Sequence, residues 1–317
     1  RKKGAAPVSP GVGRCIKDKR MSKYIPNNQK TCPVCTAQLR PRFNYYDYHY
    51  YRCPECGLVA TLPLPDAESI EAHYRSKFEA GNYQLLRDNA ERYKKIYRDG
   101  ARLIGSYLQR QGRTFAGLKV LDIGTFTGEF LEVMQEMDAD VYGLELQSEA
   151  VEIANQKLPG RVLKADVHDT IYPQIDFDLI TLSGLIEHVV DPELMLGRVF
   201  ELLKPGGLIM LQTPNSASLL ARLMRQYWPP YSPVEHIYIY GRGALERSLT
   251  QHGFRGIEYH PHVKWLAVEY IYEQFQNFGP EFYRLLRPFY RMLPGFVRRM
   301  TIPAYGGEMI MLAEKPL

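Results

Sequence analysis

The 317-residue sequence predicts an α/β protein built on a doubly wound, mostly parallel sheet, with a small metal-binding ribbon before it and a helical insertion near its end. Three observations carry this prediction. From residue 117 onward, short apolar runs alternate with segments of helical periodicity, the pattern of right-handed βαβ units. Four of the five cysteines form the pairs "CPVC" (Cys32, Cys35) and "CPEC" (Cys53, Cys56). Residues 264–307 separate the last two strand-like runs, far more than the two to five usual in a hairpin loop.

The first segment, residues 1–24, reads as a disordered basic tail. Its first 20 residues hold seven Lys/Arg and one Asp, so the overall net charge of +5 comes from the tail and the remaining body is near neutral. A neutral body gives no support to a nucleic-acid surface. No run approaches the ~18 apolar residues of a membrane span, and no apolar leader marks the chain for export, so a cytoplasmic location is expected.

Residues 25–64 form the ribbon. The spacing C-x2-C-x17-C-x2-C supplies two knuckles whose four thiolates make a closed tetrahedral S4 set. Between them "RFNYYDYHYYRC" alternates polar and aromatic residues as ribbon strands do. The expectation is one structural zinc per chain, with iron as the other metal an S4 set accepts. Cys15 is left without a partner. Residues 65–112 read as a helical linker or cap: a helix over 66–79, then a long amphipathic helix whose face carries Leu86, Ala90, Tyr93, Tyr97, Ala101, Ile104 and Leu108.

Residues 113–317 form the sheet domain. "KVLDIGT" reads as a buried strand, with Thr127 capping the helix after it. "ADVYGLEL", "RVLKAD", "FDLITLS" and "GLIMLQTP" are the next four strands. Asp191-Pro192-Glu193 gives an N-cap, a first-turn proline and a first-turn acid. A helix "GALERSLTQHGF" and the strands "GIEYHPH" and "EMIMLAEK" complete the domain around the insertion.

In such a sheet, ligands sit at the carboxyl ends of the strands where strand order reverses. Gly124 and Gly128 allow a close turn there, and Glu145 ends the next strand, where a carboxylate can accept both hydroxyls of a ribose. No third glycine brings a helix terminus against a pyrophosphate. Asp122 would repel a pyrophosphate but suits the ammonium and sulfonium of S-adenosylmethionine, and Asp166 ends the third strand, where it can accept from an adenine amino group.

"VLDIGTFTGEFL", "GLELQSEAVEIA", "KADVHD", "FDLITLSGLIEHVVDP" and "LLKPGGLIMLQTPN" resemble the successive motifs of class I S-adenosylmethionine-dependent methyltransferases across residues 117–262. The resemblance implies a Rossmann-like sheet with an antiparallel last strand. It places Asp122, Gly124 and Gly128 around the methionine part of the cofactor, Glu145 at the ribose and Asp166 at the adenine. Phe126, Leu146, Val167 and Ser183 are expected beside them. Phe126 stands where the family often has a glycine. "YRCPECGLVATLPLPD" is similar to bacterial methyltransferases that carry an N-terminal zinc ribbon and act on sugars, polysaccharides or natural products. A small-molecule or glycan-type acceptor is therefore expected, with phosphorylated and lipid-linked forms included.

His188 in "IEHVVDP" and His236 in "SPVEHIYIY" are candidate bases, Glu235 a group able to orient His236, and Tyr231 and Tyr238 candidate acceptor-pocket residues; the competing reading for each histidine is a capping or packing role. The rival functions are a zinc-ribbon rRNA or tRNA methyltransferase, a cofactor-binding scaffold without catalysis, and an NAD oxidoreductase. The "LSGLIEHV" that follows the fourth strand is not the Asn/Asp-Pro-Pro-aromatic loop common in base methylation. In the insertion, Arg284, Arg287, Arg291, Arg298 and Arg299 follow Glu269, Glu273 and Glu281. The segment either packs, as in a homodimer, or recognises a phosphate-bearing or lipid-linked acceptor through its basic half. A membrane-surface role needs an apolar face left open.

Overall fold

The structure, a computed structural model, describes residues 30–45, 48–65, 72, 76, 90–168, 176–278 and 280–317. The basic tail, Cys15, Leu86 and most of the helix expected over 66–79 lie outside the described residues.

The ribbon contributes three antiparallel strands, β1 (Arg40–Tyr45), β2 (Tyr48–Arg52) and β3 (Val59–Leu62). Then comes the long helix α1 (Ala90–Arg110), with Ala101, Ile104 and Leu108 buried as its periodicity predicts. The doubly wound part runs β4 (Lys119–Ile123), α2 (Glu129–Gln135), β5 (Asp140–Glu145), α3 (Ser148–Lys157), β6 (Val162–Lys164), β7 (Phe177–Ser183), α4 (Pro192–Leu202) and β8 (Leu203–Pro214). Asp191 caps α4 by accepting from Leu194 N at 3.0 Å, with Pro192 in its first turn. A short helix α5 (Leu219–Met224), the two-residue strand β9 (Tyr238–Ile239), α6 (Arg242–Gln251) and β10 (Arg255–Ala267) follow. The insertion holds α7 (Val268–Phe278), α8 (Pro280–Met292) and α9 (Gly295–Arg299), and β11 (Thr301–Glu314) closes the chain.

Among the described residues the main sheet has seven strands, in the order β10-β11-β8-β7-β4-β5-β6. β6 to β8 are joined by parallel pairings, and β11 lies antiparallel between β8 and β10, as expected of the last strand. Each buried strand sends neighbouring side chains to opposite faces. Val120, Leu179, Leu208 and Ile310 pack under α1, α2 and α3. Their neighbours Leu121, Ile180, Ile209 and Met311 join a second core with α4, α6 and the ribbon's Cys32, Leu58 and Ala60.

Two sequence expectations need correction. The insertion is shorter than 264–307: β10 and β11 stay paired out to Ala267↔Thr301, so only 268–300 leave the sheet. The ribbon's sheet gains a fourth strand, β9, through Val59↔Ile239 and Ala60↔Tyr238. Ribbon and sheet domain are thus joined by backbone hydrogen bonds.

Candidate active site

Strand order reverses at β4, between β5 on one side and β7 on the other. Past Ile123 the chain makes a tight turn in which Gly124, Phe126 and Gly128 all have positive φ, at 74°, 52° and 86°. A methyl on Gly124 would stand 3.0 Å from Leu185 Cδ1. Phe126 holds a left-handed conformation that costs a non-glycine residue about 1 kcal/mol or more, and its N–H donates to Glu145 Oε2 at 2.9 Å. Glu145 Oε1 accepts from Leu146 N at 2.7 Å and Gln147 N at 2.9 Å. The carboxylate expected at the ribose is therefore clamped against the glycine turn.

Thr127 is not the helix cap. Gly128 takes that position, and Thr127 Oγ1 donates to the Glu129 carboxylate, which also receives Lys157 Nζ at 2.8 Å. An acid in the first turn of α2 suits the positive end of the helix and draws the hydroxyl to itself. Asp122 is buried and accepts from Thr181 Oγ1 at 2.6 Å; burial pushes its carboxyl up to about 7, against that hydrogen bond. It supports the turn from below, within the sheet. Asp166, two residues past the end of β6 rather than on it, accepts from His168 N at 2.8 Å. Val167 is buried in the core, so its side chain offers nothing to a ligand, whereas Leu146 is exposed. Ser183, the last residue of β7, keeps a buried hydroxyl oxygen with no hydrogen-bond partner among the described residues.

Beside Ser183 opens a cavity lined by Glu187, His188, His236, Gln212, Lys264 and Glu308, among others. The two candidate histidines meet here, with ring centroids 4.8 Å apart. His188 Nδ1 lies 2.6 Å from the Glu235 carbonyl oxygen, and His236 Nδ1 lies 2.6 Å from the Pro230 carbonyl oxygen. A carbonyl can only accept, so both Nδ1 atoms carry hydrogen and the basic nitrogen of each neutral ring is Nε2. Glu235 thus serves His188 through its backbone, and Pro230 orients His236. Tyr231 packs in an aromatic cluster with Phe43, Tyr50 and Trp228, and Tyr238 is buried in β9, so both expected pocket tyrosines are structural.

Sequence reasoning missed the carboxylates of this cavity. Glu187 is buried, accepts from Thr213 Oγ1 at 2.9 Å, and is pushed by burial up to about 7. An acid in the apolar run "GLIEHVV" was the available signal. Glu187, His188 and His236 bring one oxygen and two nitrogens within 4.8 Å of one another, a set able to hold a cation. Across the cavity, Glu308 accepts from Lys264 Nζ at 2.5 Å and His262 Nδ1 at 3.1 Å. Burial raises its carboxyl, but His262 and Lys264 outweigh burial and hold it down to about 2. These partners sit 46 and 44 residues apart, a pairing only the β10–β11 register reveals.

In the ribbon, the four cysteine sulfurs lie within 4.8 Å of one another, with Cys32–Cys56 at 3.5 Å and Cys35–Cys53 at 3.3 Å. A tetrahedron with 2.3 Å metal–sulfur bonds has edges of about 3.7–3.8 Å, so the cluster is shaped for one ion. Thr36 and Gly57, each following the second cysteine of a pair, take φ of 59° and 81° to close the knuckles. The hydrogen bond from Cys32 draws Cys56 down to about 5 and leaves Cys32 well above the usual thiol range.

A glycine turn at the switch point of a doubly wound sheet, facing a strand-end carboxylate, defines a Rossmann-like cofactor-binding protein. The chain belongs to the methyltransferase domain family, which matches residues 93–259. The ubiquinone biosynthesis O-methyltransferase of Chelativorans sp. is 30% identical over 168 residues, covering 48% of this chain and 66% of that protein. The protein of the same description from Photorhabdus laumondii is 32% identical over 145 residues, covering 43% and 60%. The matches thus span slightly under two thirds of these relatives' length. Among solved structures, Burkholderia thailandensis 1,6-didemethyltoxoflavin-N1-methyltransferase, with bound 1,6-didemethyltoxoflavin and S-adenosylhomocysteine, aligns with a TM-score of 0.50 at 15% identity. The alignment covers 88% of this chain and 100% of that one, a likeness of fold.

Proposed function

We propose that this protein transfers the methyl group of S-adenosylmethionine to a hydroxyl oxygen of a small-molecule or glycan-type acceptor. One observation carries the acceptor chemistry: two imidazoles, each with Nδ1 held by a backbone carbonyl, converge beside the end of β7. Bound S-adenosylmethionine supplies a methyl group on an already activated sulfonium. The chain's own residues must align the acceptor and take its proton. Gly124 and Gly128 let the backbone approach the methionine part, Glu145 accepts the ribose hydroxyls, and Asp166 accepts from the adenine. The Ser183 hydroxyl, in the cavity lining at the end of β7 and without a partner among the described residues, supports a polar ligand there. His188 or His236 receives the hydroxyl proton at Nε2. That the relatives are O-methyltransferases of ubiquinone biosynthesis favours oxygen over carbon or nitrogen as the methylated atom.

A second reading rests on the Glu187–His188–His236 set: a cation there would lower the acceptor hydroxyl's pKa directly. In the ribbon, Cys32, Cys35, Cys53 and Cys56 hold one structural zinc with no open position.

The test is methyl transfer from labelled S-adenosylmethionine to a panel of hydroxylated acceptors. His188→Ala and His236→Ala are assayed with and without added zinc, manganese or magnesium, beside calorimetry of S-adenosylhomocysteine binding. The expected result is a loss of about 10²–10⁴ in kcat for whichever histidine is the base, with cofactor affinity kept. Full activity in both variants would remove the histidines from the chemistry, and dependence on added cation would favour the second reading.

A further inference from the structure

The insertion leaves an apolar face uncovered. α8 packs on α7 through Tyr290, which stacks on Tyr272 with centroids 3.8 Å apart. On another side of the helix, Leu285, Phe289 and Met292 are 65%, 66% and 81% exposed, and Phe296 of α9 adds a ring that is 70% exposed. Residues three and four apart share one helix face, so Leu285, Phe289 and Met292 form a stripe. The stripe continues into an open groove lined by Leu286, Ile271, Val268 and Ile302. Scattered exposed apolar residues need no explanation; a contiguous stripe beside a groove does.

The charge along α8 and α9 is lopsided. After Glu281 in the first turn of α8, residues 284–299 hold five arginines and no Asp or Glu. Arg284, Arg287 and Arg291 recur at helical spacing, displaced around the helix from the apolar stripe, and Arg299 follows Phe296, whereas Arg298 folds back onto the Leu293 and Arg291 carbonyls and the Tyr290 ring. Aromatic and aliphatic residues on one face with arginines on another are the features of a helix that lies in a lipid–water interface.

We propose that α8 and α9 dock this protein on an anionic lipid surface, with Leu285, Phe289, Met292 and Phe296 entering the headgroup–acyl boundary and the arginines meeting phosphates. Charge complementarity selects this occupant. A two-fold contact centred on the Leu285–Met292 stripe would bring the α8 arginines of both copies to one seam, where an anionic surface would instead pair with them. Nucleic acid would satisfy the arginines but leave protruding Leu and Met side chains with nothing to gain. No helix among the described residues is long and apolar enough to cross a membrane, so the association is peripheral. The β10–β11 hairpin that carries the insertion also carries Lys264 and Glu308 of the cavity. Three to four strand residues separate Lys264 from the insertion, roughly 13 Å, so docking would bring the cavity near the bilayer. The inference concerns where the protein works rather than which atom it methylates, so its failure leaves the proposed reaction standing.

The experiment is co-sedimentation of the full chain with vesicles of phosphatidylcholine alone and of equimolar phosphatidylcholine and phosphatidylglycerol, at low and high salt. Binding to the anionic vesicles only, weakened by salt, is expected. Arg287→Gln with Arg291→Gln should weaken it about thirtyfold, and Phe289→Ser with Met292→Ser should weaken it at both salt concentrations. Circular dichroism and S-adenosylhomocysteine binding report that these variants stay folded. Equal pelleting with both vesicle types, or none, overturns the proposal. So does a dimer that the Phe289→Ser/Met292→Ser variant dissociates, which would assign the face to a second copy. Binding of RNA in preference to anionic vesicles overturns it as well.

Discussion

Glu145 and Phe126 meet through the backbone. The Phe126 ring does not enter the hydrogen bond; its backbone N–H does. Phe126→Gly should therefore leave cofactor affinity within about tenfold, relieving the left-handed backbone while losing the ring. Glu145→Ala removes the acceptor for three backbone N–H groups and for the proposed ribose hydroxyls, and should lower affinity by about 1–3 kcal/mol. Calorimetry with S-adenosylhomocysteine separates the two; equal effects would mean that Glu145 acts only through the turn. Glu308 gives a pH prediction. Its folded-state value, about 2, lies below the ordinary 4.5, so its stabilisation is present above about pH 4.5 and is lost as pH falls toward 2. The magnitude is about 2–3 kcal/mol after allowing for partial solvent contact. Thermal melts from pH 6 to pH 2 should show this acid loss in the parent and a flatter profile in Glu308→Gln.

Among the elements, the ribbon is tied to the chemistry. Thr61 N donates to Ile237 O at 2.9 Å and Thr61 Oγ1 to His236 O at 3.1 Å, so β3 holds the backbone of a candidate base. Cys53→Ser, which removes one metal ligand, should lower turnover while leaving S-adenosylhomocysteine affinity nearly unchanged, because the glycine turn follows β4 of the seven-stranded sheet and not a strand of the ribbon's sheet. Elemental analysis should find one zinc per chain in the parent and a loss in the variant. Metal-free parent protein with full activity would exclude the zinc. A second contact holds the loop after β8 to β11. Gly307 has φ of 85°, and an added methyl would lie 2.7 Å from Ser218 Oγ and 2.9 Å from the Trp228 ring. Trp228 Nε1 donates to the neighbouring Gly306 carbonyl at 3.1 Å. Gly307→Ala should destabilise the fold by about 1–3 kcal/mol, measurable by urea titration.

At the scale of the molecule, the insertion is separable from the sheet. Ala267 and Thr301 face each other across the hairpin, so residues 268–300 can be replaced by an Asn-Gly turn that matches strand twist. The shortened chain should fold and bind S-adenosylhomocysteine as the parent does, and should no longer sediment with anionic vesicles. Loss of folding would show instead that the insertion is part of the core. The same view explains why the cavity lies where it does. It opens past the carboxyl ends of β7 and β8, with Lys264 of β10 and Glu308 of β11 on one side, and the loop after β8, which pairs with the ribbon's β3, closes one wall.

The sequence by itself determined what depends on local spacing. Alternation of apolar residues in "KVLDI" and "FDLITLS" set both faces of the sheet, Asp191-Pro192 set a helix start, and two C-x-x-C knuckles set a four-sulfur cluster. Gly124, Gly128 and Glu145 were legible because strand ends and turns are local events. Tertiary structure decided what depends on distant pairing. Glu187 reads as one acid in an apolar run until Thr213, His188 and His236 are gathered around it. Glu235 and Pro230 act through carbonyl oxygens, which every residue has and no motif marks. Tyr231 and Tyr238 looked like pocket residues because their aromatic character says nothing about direction, and only packing turned them inward. The basic half of the insertion was visible as charge, but whether its apolar face stays open depends on which of its sides meets α7, and that is settled by packing rather than by spacing.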